Sequence, residues 1–220
     1  MRGRRKRTAV LISGRGSNMA ALIEAARQAD YPAEIALVVT NRPDAAGLRL
    51  AEAAGIATSV VDHTRYDDRE SFERALYANL DVHDVEFLCL AGFMRLLTPW
   101  FVRLWEGRII NIHPALLPAF KGLDTHRHAL AAGVKIHGAS VHFVVPEMDS
   151  GPIIAQAAVP VRDDDTEESL AARVLAAEHR LYPLALKLLA EGRVRVIDGR
   201  CFVDGTVFTA GALLVPDEPR

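Results

Sequence analysis

Asn111 and His113 stand two residues apart at the end of an apolar, β-branched run, Ile109-Ile110-Asn111-Ile112-His113, and Pro114 and Pro118 follow closely. Proline lacks the N–H that a ladder or a helix needs, so the chain must leave regular structure just after His113. In an extended segment, residues two apart share a face. That sets a carboxamide donor beside an imidazole able to exchange protons near neutral pH. The pair suits acyl transfer, in which the amide stabilises a developing oxyanion and the imidazole serves an incoming amine. The same pair would equally serve a strand edge where both side chains only satisfy backbone groups in a turn. Asp149, in Asp149-Ser150-Gly151-Pro152, is a second candidate. Beside His113 its carboxylate would orient the imidazole and favour the protonated form; taken alone it is also an ordinary Asp turn. Ser140 and His142 alternate on the run before it with their side chains on one face, either lining the same pocket or packed in it.

Two loops read as binding sites. Gly14-Arg15-Gly16-Ser17-Asn18 follows the first strand-like run and opens the first helix-like one. Glycines there let backbone N–H groups approach an anion, and a helix N-terminus adds a favourable field. Met19 stands where a dinucleotide fingerprint needs its third glycine, and no Walker pattern is present. A monophosphate is the better fit, with Ser17 and Asn18 adding donors, and a tight turn is the alternative. A side chain at Gly16 is expected to stand where the anion approaches. Ala91-Gly92-Phe93-Met94-Arg95-Leu96-Leu97 leaves a buried run through a glycine, offering apolar walls and backbone groups to a flat aromatic ligand, unless the stripe is simply core. The remaining histidines show no metal-ligand spacing, and no metal is predicted.

Strand-like and helix-like segments alternate from the start, which predicts an α/β, Rossmann-like fold: a mostly parallel twisted sheet flanked by helices. Strands are expected at 8–13, 34–40, 58–61, 87–91, 108–113, 139–145 and 153–159. Helices are expected at 19–29, 45–54, 70–80, 99–104, around 127–132 and over 166–189. Thr166 reads as an N-cap, followed by Ser169 in place of the Glu of a full capping box. Short antiparallel C-terminal strands, 193–197, 200–203 and 206–209, are predicted around Asp198-Gly199 and Asp204-Gly205.

The 220 residues, half hydrophobic and a quarter charged, suffice for one main domain. Its expected extent is 8–205, after a basic, disordered, solvated tail at 1–7 and before a C-terminal tail at 206–220. Removing the five positive charges of that first tail from a net charge of -2 leaves -7, against a body built to hold long nucleic acid. Cys89 and Cys201 form no CxxC pair, and a reducing cytoplasm fits. The apolar run after the tail is too short for a membrane span or a signal peptide, so neither membrane nor nucleic acid is an expected partner. Nothing in the pattern sets an oligomeric state.

Taken together, Asn111-Ile112-His113-Pro114-Ala115-Leu116-Leu117-Pro118 and the Asp149 loop make a specific signature, and the chain resembles the folate-dependent formyltransferases. The likeness runs from about Thr8 to about Val203, and Ser13–Asn18 together with Ala91–Arg95 makes it most similar to the branch that acts on a glycinamide ribotide. The resemblance implies transfer of a formyl group from 10-formyltetrahydrofolate, as co-substrate and without metal, to the amine of 5-phosphoribosylglycinamide in purine (IMP) synthesis. Asn111, His113 and Asp149 would be catalytic; Gly16, Ser17, Asn18 and Glu178 would hold the ribotide. Arg69, Met94, Arg95, Leu96, Leu97, Asn111, Val145, Pro146, Glu147, Met148 and Asp149 would contact the folate. A methionyl-tRNA formyltransferase shares the Asn and His signature but needs a further basic domain, for which this slightly acidic chain ends too soon. A formyl-folate hydrolase of the kind compared carries an additional N-terminal domain, whereas about seven residues precede the first strand here. A non-catalytic folate or nucleotide module would keep the Met94 loop without needing Asn111, His113 and Asp149 together.

Overall fold

Val- and Ile-rich runs punctuated by Gly, Pro and Asp form the strands, and amphipathic runs between them form the helices. The structure is a computed structural model that describes residues 4–205 and 215. β1 (Lys6–Ile12), β2 (Ala33–Thr40), β3 (Thr58–Val60), β4 (Phe87–Leu90) and β5 (Ile109–His113) are mutually parallel. β6 (Ile136–Phe143) and β7 (Ile153–Pro160) extend the same sheet as antiparallel neighbours, giving seven strands in the order β3-β2-β1-β4-β5-β6-β7. The helices are α1 (Ser17–Ala26), α2 (Gly47–Ala53), α3 (Arg69–Val82), α4 (Pro99–Leu104), α5 (Thr125–Ala131) and α6 (Glu167–Ala190). β8 (Val194–Ile197) and β9 (Arg200–Val203) pair as a separate hairpin through Asp198-Gly199; the expected strand at 206–209 lies outside the described residues.

Successive residues of a strand face opposite sides, and β1 distributes its side chains accordingly. Val10 and Ile12 join Met19 and Leu22 of α1 and Tyr182 and Leu186 of α6 in one core. Ala9 and Leu11 join Phe72 and Leu76 of α3 and Phe101 of α4 in the other. Buried on both faces, the central strands need continuous apolar sequence, and they have it. The Tyr182 hydroxyl ties α6 to the sheet by donating to the carbonyls of Leu90 (3.0 Å) and Ile110 (3.1 Å), on the neighbouring strands β4 and β5. At the start of α6, Ser169 does the work of the missing Glu. Its hydroxyl accepts from Thr166 N at 3.0 Å, while Thr166 Oγ1 accepts from Ser169 N at 3.2 Å, so the capping box is complete.

The first strand differs from expectation. It begins at Lys6, inside the segment read as a solvated tail, because acceptors on its neighbours satisfy the basic side chains. Arg4 and Lys6 pair with Glu86 at 3.0 and 2.9 Å, Arg7 pairs with Glu34 at 2.9 Å, and the Arg5 guanidinium bonds the carbonyls of Ala26 and Ala33. β6 likewise starts at Ile136, three residues early, held along its length by β7.

Connections lead from β1 toward β2 and β3 on one side and from β4 toward β5 on the other. A sheet that reverses its strand order in this way opens a crevice at the carboxyl ends of the two diverging strands. The glycine loop follows β1, the Met94 loop follows β4, and His113 ends β5, so these three segments gather at that edge. Among the described residues, no helix is long and apolar enough to cross a membrane.

Candidate active site

β5 sits where the sheet turns from parallel to antiparallel. Ile110 and Ile112 point into one core, which sends Asn111 and His113 together to the opposite face. Opposite them on β6 stand His142 and Ser140. His142 is buried, with Nδ1 2.8 Å from the carbonyl of Phe143, so Nδ1 carries the proton and Nε2 is left to accept. The Asn111 amide nitrogen lies 3.3 Å from that Nε2. Burial lowers the His142 pKa, against smaller opposing effects from the Phe143 carbonyl and Asp149, and so keeps the ring neutral and able to accept. One Asn111 N–H is thus anchored and the carboxamide plane is fixed, leaving the second N–H for a ligand.

The 144–152 connection folds back over this face. Asp149 Oδ2 comes within 3.4 Å of His113 Nδ1 and Oδ1 within 3.7 Å of His142 Nε2, with both histidines and the carboxylate largely screened from water. His113 Nε2 donates to the carbonyl of Phe120 at 2.8 Å, which orients the ring and turns Nδ1 toward Asp149. Gly122 N donates to Asp149 Oδ2 at 2.9 Å, and Lys121 Nζ donates to Ser150 Oγ at 2.7 Å, so the loop after β5 grips the loop after β6 at two points. Phe120 (φ 52°) and Asp149 (φ 50°) both occupy the left-handed region, at a cost of about 1–2 kcal/mol each; these contacts hold them there. Ser140 does not line the site. Fully buried, it donates to Ala115 O (2.7 Å) and accepts from Leu117 N (3.0 Å), shaping the loop that follows His113.

Behind His113 lies a second pair of histidines. The His137 ring packs edge-on against Phe120 (5.8 Å between centroids) and against His126 (5.4 Å), and among the described residues neither of its buried nitrogens has a hydrogen-bond partner of good geometry. Burial, then the nearby His126, pushes its pKa down to about 4.

At the glycine loop, Gly16 is the N-cap of α1 with φ 77°, and among the described residues no side chain caps the helix. A Cβ on Gly16 would meet Gly47 Cα and Met19 Cε, each at 3.0 Å, rather than the open approach expected from the sequence. The close seating of α2 demands glycine here. Asn18 and Glu178, 160 residues apart, meet where α1 crosses α6: Asn18 Nδ2 donates to Glu178 Oε2 at 2.7 Å, and Asn18 Oδ1 is buried without a partner among the described residues. Burial raises the Glu178 pKa against the opposing Asn18 hydrogen bond. Ser17 is the first residue of α1 and is half-buried.

In the second loop Met94 is 70% exposed and Leu96 is exposed, Leu97 packs on the core, and the Arg95 guanidinium lies over the Phe72 ring at 5.5 Å. On the 144–152 connection Met148, an apolar group, is exposed, Pro146 and Glu147 are exposed too, and Val145 is half-buried; Arg69 is exposed at the start of α3. Leu123, 73% exposed, adds an apolar group that went unread. Also unread were the acceptor role of His142, the Phe120 carbonyl and the Gly122 N–H. Only the alternation of Ser140 with His142 pointed toward any of them. A cavity of about 130 Å³ lined by Tyr77, Asp81, Trp105 and Arg108 lies at the amino ends of β4 and β5, away from these groups. Among the described residues, no three His, Cys, Asp or Glu side chains are placed to hold a metal ion.

Residues 6–186 match the formyl transferase family. Phosphoribosylglycinamide formyltransferase of Escherichia coli (strain K12) is 45% identical over 196 residues, 89% of this chain and 92% of the relative. The trifunctional purine biosynthetic protein adenosine-3 of Gallus gallus is 52% identical over 190 residues, 86% of this chain. The chain spans 19% of the length of that larger relative. Among solved structures, glycinamide ribonucleotide transformylase 1 from Symbiobacterium toebii superposes with a TM-score of 0.89 at 45% identity, covering 91% of this chain and 95% of that one.

Proposed function

The chain belongs to the formyl transferase family, and from that premise we propose that it transfers the formyl group of 10-formyltetrahydrofolate to the amine of 5-phosphoribosylglycinamide, a step of purine (IMP) biosynthesis. The observation that carries this reading is the convergence of Asn111, His113, His142 and Asp149 at the end of β5, beside the apolar loop after β4 and two strands along the sheet from the glycine-loop helix after β1. The ribotide phosphate takes the N-terminus of α1 at Gly16, Ser17 and Asn18, where unpaired N–H groups favour an anion. Glu178 and the unpartnered Asn18 Oδ1 are acceptors for the polar groups of the same substrate. The folate lies along Met94 to Leu97 and Val145 to Asp149, with Arg69 nearby for its carboxylates.

The amine attacks the formyl carbon and the carbonyl oxygen becomes an oxyanion. Asn111 meets it with its free N–H, already oriented by His142, so little reorganisation accompanies the charge. His113 meets it from Nδ1, because Nε2 is committed to the Phe120 carbonyl. The Asp149 carboxylate faces this nitrogen at 3.4 Å, as an acceptor that orients the ring. Collapse breaks the bond to the folate nitrogen, which takes up a proton as the attacking amine gives one up, directly or through His113. Every group in this sequence belongs to the chain or to its substrates.

Incubation with 10-formyltetrahydrofolate, with and without the ribotide amine, tests the proposal. Formylated ribotide and tetrahydrofolate should accumulate one for one, and only when both substrates are present. Equal folate turnover without the amine would make the protein a hydrolase, and binding without turnover would make it a folate module. Two free cysteines, one buried, support placing the enzyme in a reducing cytoplasm.

A further inference from the structure

Ser13 lies between β1 and the glycine loop, and its contacts run sideways rather than along either. Its hydroxyl accepts from Met94 N at 2.8 Å and donates to Asn41 Oδ1 at 2.6 Å, and its backbone N–H donates to Gly92 O at 3.1 Å. Both ends of the Gly92–Met94 turn are therefore fastened to the residue that opens the glycine loop. Ser13 and Asn41 are buried, so these bonds do not compete with water. Asn41 is braced in turn by His63, whose Nδ1 lies 2.8 Å from the Asn41 carbonyl. The glycine loop is closed on its other flank by α2, where Gly47 N donates to Gly14 O at 3.0 Å. A shift of the loop at 14–18 accordingly moves Ser13, and Ser13 moves the N–H of Met94.

Resting on the functional reading above, we infer that Ser13 is a positioning residue that couples the two substrate sites. Ordering of the glycine loop by the ribotide phosphate sets the Met94 to Leu97 loop for the folate, and by linkage folate binding tightens the ribotide by the same factor. A hydroxyl is required because it accepts and donates at once. Alanine would leave two buried groups, the Met94 N–H and the Asn41 oxygen, without that bridge. The bonds that link the two loops, through Ser13, Asn41 and the Gly92 and Met94 backbone, involve no charged side chain, so the coupling ratio should survive changes in ionic strength.

Calorimetry with a folate analogue lacking a transferable formyl group, with and without saturating ribotide, tests the inference on Ser13→Ala, Ser13→Thr and the unaltered protein. In the unaltered protein ribotide should tighten the analogue severalfold. Ser13→Ala should weaken the analogue about fivefold, the worth of one buried hydrogen bond. It should also bring the coupling ratio to one, with affinity for ribotide alone within about twofold of its original value. Ser13→Thr, which keeps the hydroxyl, should restore the ratio. A merely structural Ser13 would lower the melting temperature and weaken both ligands while leaving their ratio untouched. If Ser13→Ala does not fold, Asn41→Ala unseats the same hydroxyl without altering either loop. A folded variant with the original ratio overturns the inference, as does a ratio of one in the unaltered protein. Failure of the unaltered protein to transfer formyl groups or bind either ligand would instead remove the functional reading, and the inference with it.

Discussion

Mild acid should destabilise the folded protein through His137 before any carboxylate of ordinary pKa is protonated. The side chain is 1% exposed, and burial holds its pKa at about 4, whereas an unfolded histidine titrates near 6.5. Between those values the unfolded chain takes up a proton that the folded one refuses, so stability is full above about pH 6.5 and falls as the pH drops toward 4. For a single site the loss is about 1.4 kcal/mol at pH 5.5 and about 2.5 kcal/mol at pH 4.5. His126 and His142, also lowered by burial, act with the same sign, while Glu73 and Glu178, raised by burial, act against it. Asp165, held low by Arg173, begins to lose its contribution as the pH falls through the usual carboxylate range. The difference between the unaltered protein and His137→Met isolates the one site, since methionine fills a similar volume and does not titrate. Urea unfolding at pH 7.5, 6.5, 5.5 and 4.5 should show the two stabilities diverging by those amounts as the pH falls. Parallel profiles would refute the buried, neutral His137. The consequence reaches the site because His137 packs on Phe120, whose carbonyl holds His113.

Three substitutions probe the site directly. His113→Ala should lower turnover on the order of a hundredfold or more while folate-analogue affinity stays within a few fold, because the imidazole acts on the transition state; near-normal turnover would exclude it from the mechanism. Asp149→Asn keeps an acceptor for Gly122 N but removes the charge facing Nδ1, so kcat should fall on the order of tenfold with the ribotide KM little changed, and an unaltered kcat would reduce Asp149 to a turn residue. Gly16→Val should weaken ribotide binding at least tenfold, about 1.4 kcal/mol, and also lower the melting temperature, because its Cβ meets Gly47; weakened binding at an unchanged melting temperature would mean that the side chain faces the ligand instead.

The sequence carried the fold through period and punctuation. Alternating runs ended by Gly and Pro located every strand of the main sheet, with errors of at most three residues at their ends, because what ends a strand is its neighbour. β1 starts at Lys6 only since Glu86 and Glu34 stand ready to neutralise the basic residues, and that pairing joins positions 80 and 27 residues apart. The side chains of the site were legible for the same local reason, two residues apart on one strand. Its geometry was not. The Gly16 side-chain direction depends on α2, which no pattern in the glycine loop encodes. His142 becomes the acceptor for Asn111 only through strand register.

The orientation of His113 shows most sharply where local reading stops. A histidine in a sequence offers two nitrogens, and which one acts depends on what the other is bonded to. Here that partner is the backbone carbonyl of Phe120, presented by a residue with φ 52°. A carbonyl is common to every residue, so it leaves no signature, and neither Pro114 nor the following Leu-Leu-Pro reveals that the chain will turn back at position 120. Once that bond is made, the remaining choices close. Nε2 carries its proton to Phe120, Nδ1 faces Asp149, and Asp149 is itself held by Gly122 from the same returning loop. On the proposed reaction, a proton exchanged between His113 and the substrate would therefore pass through Nδ1, and any substitution that lets the 120–122 loop drift should release the ring to either tautomer before it costs the protein its fold.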